Sequence, residues 1–334
     1  MTSAVSASAY EAARRRAAFV SRSDRGRIVV SGGDRRSYLQ GLLTNDVAAL
    51  AEGQGCYAAY LTAQGRMIAD LYVYELGDVI LLTTAGDVKD TVMARLDQFI
   101  FGEDVQLGDV TGTFAQIAVI GPAASRVVAA LIGGEAAALD ALLEHGNQRV
   151  QFAGSPAIVT RITDTGEPGF DVFVESGRIG ELEAALGAAD VASLDASTAD
   201  AIRVESGIPA FHRDMDEETI PLEAGIESRA ISFTKGCYVG QEVIIRVLHR
   251  GHGRVVRKLV GIVFDGSQVP VPGVPVHAGD REIGRVTSSA MSPALRKPIA
   301  LGYLHRDFIE PGTSVAVGDV GGTVMSLPFV RTTA

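Results

Sequence analysis

Tryptophan is absent from the 334 residues, and cysteine occurs only twice, as Cys56 and Cys237. Two thiols cannot build a disulfide framework, and such sparing use fits a reducing compartment. No apolar run approaches the ~18 residues that a membrane-spanning helix needs. Positive charge is also in short supply: 30 Lys and Arg stand against 40 Asp and Glu, a net charge of −10. That balance argues against a general nucleic-acid or anionic-membrane binder. Arg14, Arg15 and Arg16 lie among serines and alanines as in a transit peptide, yet Tyr10 to Val20 reads more naturally as an opening helix that runs into the first strand. The expected location is a bacterial cytoplasm.

Several chemistries drop out for want of their motifs. There is no Walker-type loop, and Gly251-His252-Gly253 lacks the third glycine of a dinucleotide fingerprint. No Gly-x-Ser-x-Gly elbow occurs. His249 and His252 have neither a second close cysteine nor a C-x-x-C spacing beside them, so no metal site is expected.

What is present is a long, well-patterned globular chain. Its length suits two or three domains, and 47% hydrophobic content is ample for their cores. Arg27 to Ser31 is β-rich, Gly32-Gly33-Asp34 is a turn, and Tyr38, Leu39, Leu42 and Leu43 carry helical spacing. Strand-like runs Tyr57 to Leu61 and Met67 to Tyr74 flank a hairpin loop at Thr62 to Arg66, and a further strand, a helix and a closing strand follow up to Val110. The order then recurs, with Ile117 falling 89 positions after Ile28 and Gly121 falling 89 after Gly32. This reads as a duplicated β-α-β-β-α-β unit of the ferredoxin-like kind. Asp200 to Arg250 breaks the rhythm with a dense polar segment, a reasonable place for a binding cleft. From Val255 onward, short β-rich runs separated by Gly and Pro suggest a small antiparallel barrel. The expected division is residues 1–110 for a first lobe, 111–250 for a second lobe carrying the polar segment, and 251–334 for the barrel.

The most chemically loaded stretch is Lys235-Gly236-Cys237-Tyr238-Val239-Gly240-Gln241-Glu242. Behind it Val243, Ile244, Val247 and Leu248 are spaced as a short helix with Glu242 in its first turn, so Cys237 sits just ahead of a helix N-terminus. The dipole there, worth roughly 0.3–1 kcal/mol, lowers a thiol pKa by less than a unit, since one unit is about 1.36 kcal/mol. Lys235 adds to that effect only if its ammonium points at the thiol. A small buried cysteine in a tight turn fits the same spacing. Asp70 stands among Ile68, Leu71 and Val73, as an acid at a cleft edge or as a strand-end acid facing water. Thr165 to Asp171 offers two more acids on a loop entering a strand.

Lys235 to Glu242 resembles the K-G-C-[YF]-x-G-Q-E signature of YgfZ-type proteins, folate-binding factors linked to iron–sulfur cluster assembly and repair. The wider resemblance, over nearly the whole chain, is to the glycine-cleavage T protein, an aminomethyltransferase. Gly65 to Leu71 is similar to its G-G-x-x-D-D-L turn, with Asp70 on the second aspartate, used there beside the folate's reactive nitrogens, and Ala69 on the first. Thr165 to Phe170 resembles its T-G-E-x-G-F/Y loop, with Glu167 on the substrate-binding glutamate. Asp214 to Gly225 and Ser292 to Ala300 are similar to two further motifs, D-x-D-E-x-x-x-P-x-E-x-G and S-P-x-L-x-K-x-I-A. Two departures count against a working aminomethyltransferase and favour, as the first reading, a tetrahydrofolate-binding YgfZ-type protein that supports assembly or repair of iron–sulfur enzymes. The F-x-G-W and M-P stretch ahead of the T protein's first helix has no counterpart, and Ala199 replaces an arginine before Arg203-Val204-Glu205.

The resemblance implies an α+β, aminomethyltransferase-like three-domain cloverleaf: duplicated ferredoxin-like lobes plus a C-terminal antiparallel β-barrel around a central folate channel. It implies tetrahydrofolate or a one-carbon derivative as cofactor, and iron–sulfur client or assembly proteins as partners. Cys237 and Lys235 would be a functional pair, with Asp70 as the acid. Asp70, Glu167, Arg203, Tyr238, Gln241 and Glu242 would hold the cofactor. A carboxylate suits the adjacent donors of a pterin, whereas the glutamate tail of a folate wants arginine, from Arg203 or the stretch Arg246 to Arg257. A folate-dependent aminomethyl or demethylating transferase, and a scaffold with a vestigial pocket, are the alternative readings.

Overall fold

The chain opens with helix α1 (Ala7–Arg15) and strand β1 (Ala18–Ser21). Ser6 caps α1 through its side chain, and Arg14 and Arg15 sit in the last turn, where cations suit the helix dipole. The sequence pattern is a helix over Tyr10 to Val20, but the helix ends at Arg15 and the residues after it pair as a strand. In this computed structural model, which describes residues 5–249 and 254–331, two lobes and a barrel follow.

The first lobe runs β2 (Gly26–Ser31), α2 (Arg35–Leu42), β3 (Gly55–Leu61), β4 (Met67–Glu75), β5 (Ile80–Thr84), α3 (Lys89–Asp97) and β6 (Gln106–Asp109). The second runs β7 (Phe114–Ile120), α4 (Ala124–Ile132), α5 (Ala136–Asp140), β8 (Asn147–Phe152), β9 (Ser155–Ile162), β10 (Gly169–Glu175), α6 (Ile179–Ala188) and β11 (Ala192–Ser193). Their sheets are ordered β3-β4-β5-β2-β6 and β11-β1-β7-β10-β9-β8. With β1 removed the two orders coincide, which is the duplication read from the 89-residue offset. Gly32 and Gly121 occupy equivalent turns at φ 103° and 110°. A side chain at either would collide with a backbone carbonyl, of Asp104 and of Ala13 respectively.

Two expectations change. Each unit contributes five strands, one more than β-α-β-β-α-β contains. The lobe boundary also moves, because β1 pairs antiparallel with β7 and parallel with β11. Residues up to Ser21 therefore belong to the second lobe, and Arg22 to Arg25 carry the chain across to the first. A four-residue strand is too short to show alternation, so its partner sheet was not legible.

Helices α7 (Ala196–Glu205), α8 (Pro221–Ala224), α9 (Glu227–Ala230) and α10 (Gln241–His249) form the connecting segment. Asp195 caps α7, accepting from the Thr198 N–H at 2.8 Å. The C-terminal unit closes into a barrel of β12 (Arg257–Phe264), β13 (Pro275–Ala278), β14 (Arg281–Ser292), β15 (Lys297–His305), β16 (Ser314–Val317) and β17 (Val320–Met325). Buried Ile262, Phe264, Val276, Val286, Leu304 and Val324 fill it. The chain then returns to α7, where the Phe329 N–H donates to the Glu205 carbonyl at 2.8 Å. The α+β fold with a closed antiparallel barrel is as expected. Among the described residues no helix is long and apolar enough to cross a membrane.

Candidate functional site

Strand alternation puts Asp70, Tyr72 and Tyr74 of β4 on one sheet face, and Leu71 and Val73 on the other. The register pairs Tyr57 with Tyr72 and Ala59 with Asp70, so Tyr57 joins the same face. That face meets the second lobe, where Tyr72 packs on His145 with ring centroids 5.4 Å apart and Tyr74 packs edge-on against Phe173. Asp70 is therefore buried between lobes and not a strand-end acid facing water. The Tyr57 hydroxyl donates to its Oδ2 at 2.9 Å. Burial raises the Asp70 carboxyl above its ordinary range, and the Arg25 charge and the Tyr57 hydrogen bond offset this only in part. Tyr57 and Tyr72 lie 4.9 Å apart, with the Arg229 guanidinium over the first ring and the Arg25 guanidinium over the second.

The linker Arg22 to Arg25 forms one wall of a cleft of about 290 Å³ beside this cluster. Asp164, Thr165, Arg203 and Arg213 line it as well. Arg22 donates to Asp164 at 2.5 Å and to Asp171 at 3.2 Å. Burial pushes Asp164 upward, but the charge and hydrogen bonds of Arg22 outweigh it and hold the carboxylate well below the usual range. A second cavity, of about 200 Å³, lies between the lobes. It is walled by Val29, Leu81, Phe114, Ile158 and Phe173 with Arg27 and Arg149 and has no carboxylate in its lining. The candidate site is the first cleft, which adjoins the Asp70 cluster through Arg25 on the Tyr72 ring.

The residues singled out from sequence fall into three groups. Arg203 lines this cleft but is already engaged: it reaches Asp200 at 2.9 Å, Asp214 at 2.7 Å and the Ser288 hydroxyl at 2.8 Å. Asp70 does not line the cleft and lies behind Arg25, whose charge acts on it. Glu167 is turned away. Its carboxylate is ion-paired with Arg14 of α1, which also holds Glu205 of α7 at 2.5 Å. Burial raises Glu167 despite that guanidinium. Thr165, two residues earlier on the same loop, is what reaches the cleft.

The third group is the stretch Lys235 to Glu242, and here the expected pairing of Lys235 with Cys237 is corrected. The Lys235 ammonium donates to the carbonyls of Gln40, Leu43 and Asn45 at 2.6, 2.6 and 2.9 Å, capping the C-terminus of α2. All three of its protons are used, whereas Cys237 is exposed. Burial lowers the Lys235 amine to about 8. Tyr238 is buried beneath that ammonium, 5.1 Å from its ring centroid, and burial pushes its phenol up to about 12. Gln241 opens α10, and Glu242 pairs with Arg246 across one helical turn at 2.6 Å. Gly240 and Val243 pack against the hairpin loop at Thr62 and Gly65. None of these residues lines the Arg25 cleft. Of the other basic candidates, Arg257 is paired with Glu223 at 3.1 Å, and Arg250 lies outside the described residues, as does His252.

Sequence reasoning missed Arg25, Tyr57, Tyr72 and Asp164. Tyr72 was within reach, since it stands two residues after Asp70 in a strand and shares its face. The others depend on how the lobes meet.

Comparison with known proteins agrees with this architecture. Residues 2–235 match the GCVT N-terminal domain and residues 257–330 the glycine cleavage T-protein C-terminal barrel domain. Among relatives, an aminomethyltransferase of Rubrobacter xylanophilus is 33% identical over 324 residues, covering 96% of this chain and 85% of that protein. One of Geobacillus kaustophilus is 32% identical over 334 residues, covering 96% and 89%. The crystal structure of glycine cleavage system aminomethyltransferase T from Bartonella henselae superposes with a TM-score of 0.87 at 25% identity, covering 97% of this chain and 89% of that one. With both domains matched in order and nearly the whole length aligned, the chain belongs to the glycine-cleavage T protein family.

Proposed function

We propose that the cleft walled by the Arg22–Arg25 linker, the second lobe and α7, beside Asp70, binds tetrahydrofolate, the cofactor of this family's aminomethyltransferases, and that the protein is a folate-dependent one-carbon transferase of the aminomethyl type. The observation that carries this is Asp70: a buried carboxyl, raised by desolvation, held by Tyr57 and facing the second lobe. The donor set suits the cofactor. A pterin offers ring faces and adjacent N–H donors, and the site offers Tyr57, Tyr72 and a carboxylate. Bound there, the cofactor supplies the nitrogens that receive the one-carbon unit. The chain's own part is positional and acid–base. A carboxyl raised above its ordinary range by burial holds a proton more readily than an ordinary aspartate, as a general acid or base requires. The Tyr57 hydrogen bond engages Oδ2 of Asp70 and so orients the carboxyl.

A second reading is favoured by one feature of the fold. The Lys235 to Glu242 loop is locked onto α2 and the Thr62–Gly65 hairpin, yet presents Cys237 to solvent beside exposed Phe233. That arrangement supports a YgfZ-type role, in which a folate-loaded protein serves iron–sulfur enzymes through an accessible thiol. One pair of assays separates the two. The first reading predicts 5,10-methylenetetrahydrofolate from tetrahydrofolate and aminomethylated lipoyl carrier protein, abolished by Asp70→Asn and untouched by Cys237→Ala. The second predicts no such turnover, with restoration of iron–sulfur enzyme activities in cells lacking the native protein, lost on Cys237→Ala.

A further inference from the structure

One tight turn separates the candidate cleft from a third cavity, of about 500 Å³, against the barrel. Ala210 and Arg213 line the cleft, while His212, Arg213 and Asp214 line the cavity. The turn is drawn in on itself, with the N–H groups of Arg213, Asp214 and Met215 donating to the Ala210 carbonyl at 3.2, 2.8 and 3.1 Å. His212 sits there at φ 60°, a left-handed conformation that few residues other than glycine adopt. From it the ring reaches two carboxylates on different segments. Nδ1 is 2.7 Å from Oδ2 of Asp87, between β5 and α3, and Nε2 is 3.1 Å from Oε1 of Glu217. An ionised carboxylate only accepts, so both contacts are hydrogen bonds only when both ring nitrogens carry a proton. The neutral ring turns a lone pair on one of the two acids. Burial lowers the His212 imidazole, but its hydrogen bonds to Asp87 and Glu217 outweigh this and raise it above the ordinary value. Asp87 belongs to the linker side: a Cβ on its neighbour Gly86 would lie 2.0 Å from the Asp24 carbonyl oxygen, and Asp24 lines the cleft. The His212–Asp87 pair therefore joins two walls of the cleft.

We propose that His212 is a pH-sensitive clasp on the cleft: protonated, it fastens the Ala210–Asp214 turn to the linker side through Asp87, and on giving its proton to solvent it lets that wall move. The other charged groups around the turn are engaged elsewhere. Arg213 is held by Asp200, Asp214 by Arg203, Arg257 by Glu223, and Lys89 by Asp90 and Asp109. Asp216 accepts from the Thr219 hydroxyl at 2.7 Å, and burial keeps the Tyr303 phenol neutral. Arg285 lines the same cavity and has no carboxylate partner among the described residues. A histidine that is easier to protonate in the folded chain contributes fully below its unfolded value, about 6.5, and loses that contribution as pH rises through the folded one. The clasp is thus shut in mildly acidic solution and open in alkaline solution. Its effect on a ligand rests on the proposed folate site; the motion of the wall does not.

The test on the full chain starts without ligand. NMR titration of the six histidine rings, with His212→Asn identifying the His212 signal, should place its midpoint above the ordinary value of about 6.5. Asp87→Asn and Glu217→Gln should each move that midpoint down. Asn tolerates the left-handed backbone and is too short to span both acids. Hydrogen exchange of residues 86–87 and 210–215, compared at matched pH, should be about threefold slower in the wild-type protein than in His212→Asn at pH ~6 and equal at pH ~9. If His212→Asn does not fold, the same comparison with Asp87→Asn serves. Stopped-flow release of tetrahydrofolate should follow the same pattern, about threefold slower in the wild-type protein at pH ~6 and alike at pH ~9. A midpoint at or below the ordinary value, or an exchange ratio that does not change with pH, overturns the clasp whatever the ligand does. Equal release rates at pH ~6 overturn its hold on the cleft. Failure of tetrahydrofolate to bind overturns the folate site, and the ligand-free arms then decide the clasp alone.

Discussion

Asp70 carries a conflict between stability and function that a single substitution exposes. Burial raises its carboxyl, so the folded chain keeps the proton at pH values where the unfolded chain has released it. Such a group adds no penalty below the ordinary carboxylate range of about 4 and destabilises increasingly as pH climbs through the raised value. Asp70→Asn removes the charge and keeps the shape. In urea unfolding at low pH the variant should match the wild-type protein, and towards pH ~8 it should become the more stable of the two. A gap that is constant with pH, or of opposite sign, would mean that Asp70 ionises freely. At this same scale the sequence was informative about identity and silent about partners. Asp70, Glu167 and Arg203 could be picked out by motif, but whether each faced a cleft or a fellow charge depended on residues far away in the chain. Glu167 pairs with Arg14, 153 positions earlier. Nothing near Glu167 in the sequence announces that.

At the scale of elements, the two ends of the connecting segment act as fasteners. Arg14 of α1 bridges Glu167 and Glu205, while Glu205 accepts from Tyr10 at 2.7 Å and from the Ser292 hydroxyl, so one buried carboxylate ties helix, loop and barrel together. Lys235 does the same for the first lobe. It satisfies carbonyls at the end of α2 that no helical N–H can reach, and its loop adds the Val239 N–H to the Gly41 carbonyl at 3.1 Å. Lys235→Met keeps the packing volume and leaves those carbonyls without a donor. It should cost about 2–3 kcal/mol, read as a drop of several degrees in melting temperature. Cys237→Ala, at an exposed position, should change the melting temperature by less than a degree or so. If the two variants melt alike, Lys235 is not the fastener that its hydrogen bonds describe. Helix existence and the hairpin at Thr62 to Arg66 were legible from periodicity and turn residues, since both signals are local. The short strand β1 and the direction of the Lys235 side chain were not, because tertiary contacts decide each of them.

Across the whole molecule, duplication explains where the site lies. Two lobes of the same strand order present their sheet faces to each other, and the linker Arg22 to Arg25 passes between them at the level of Asp70 and Asp164. The repeat was visible as a constant offset between Ile28 and Ile117 and between Gly32 and Gly121, but the crossover of β1 into the second sheet was hidden, and with it the fact that the linker lines the cleft. The central claim is that tetrahydrofolate occupies the cleft walled by this linker, with its reduced ring beside Asp70. The most direct measurement is a crystal structure of the protein grown with saturating tetrahydrofolate. The account predicts the ring beside Tyr57, Tyr72 and Asp70, with the benzoyl-glutamate end running away from them along the cleft. A ring bound elsewhere, or an empty cleft at saturating concentration, would contradict it.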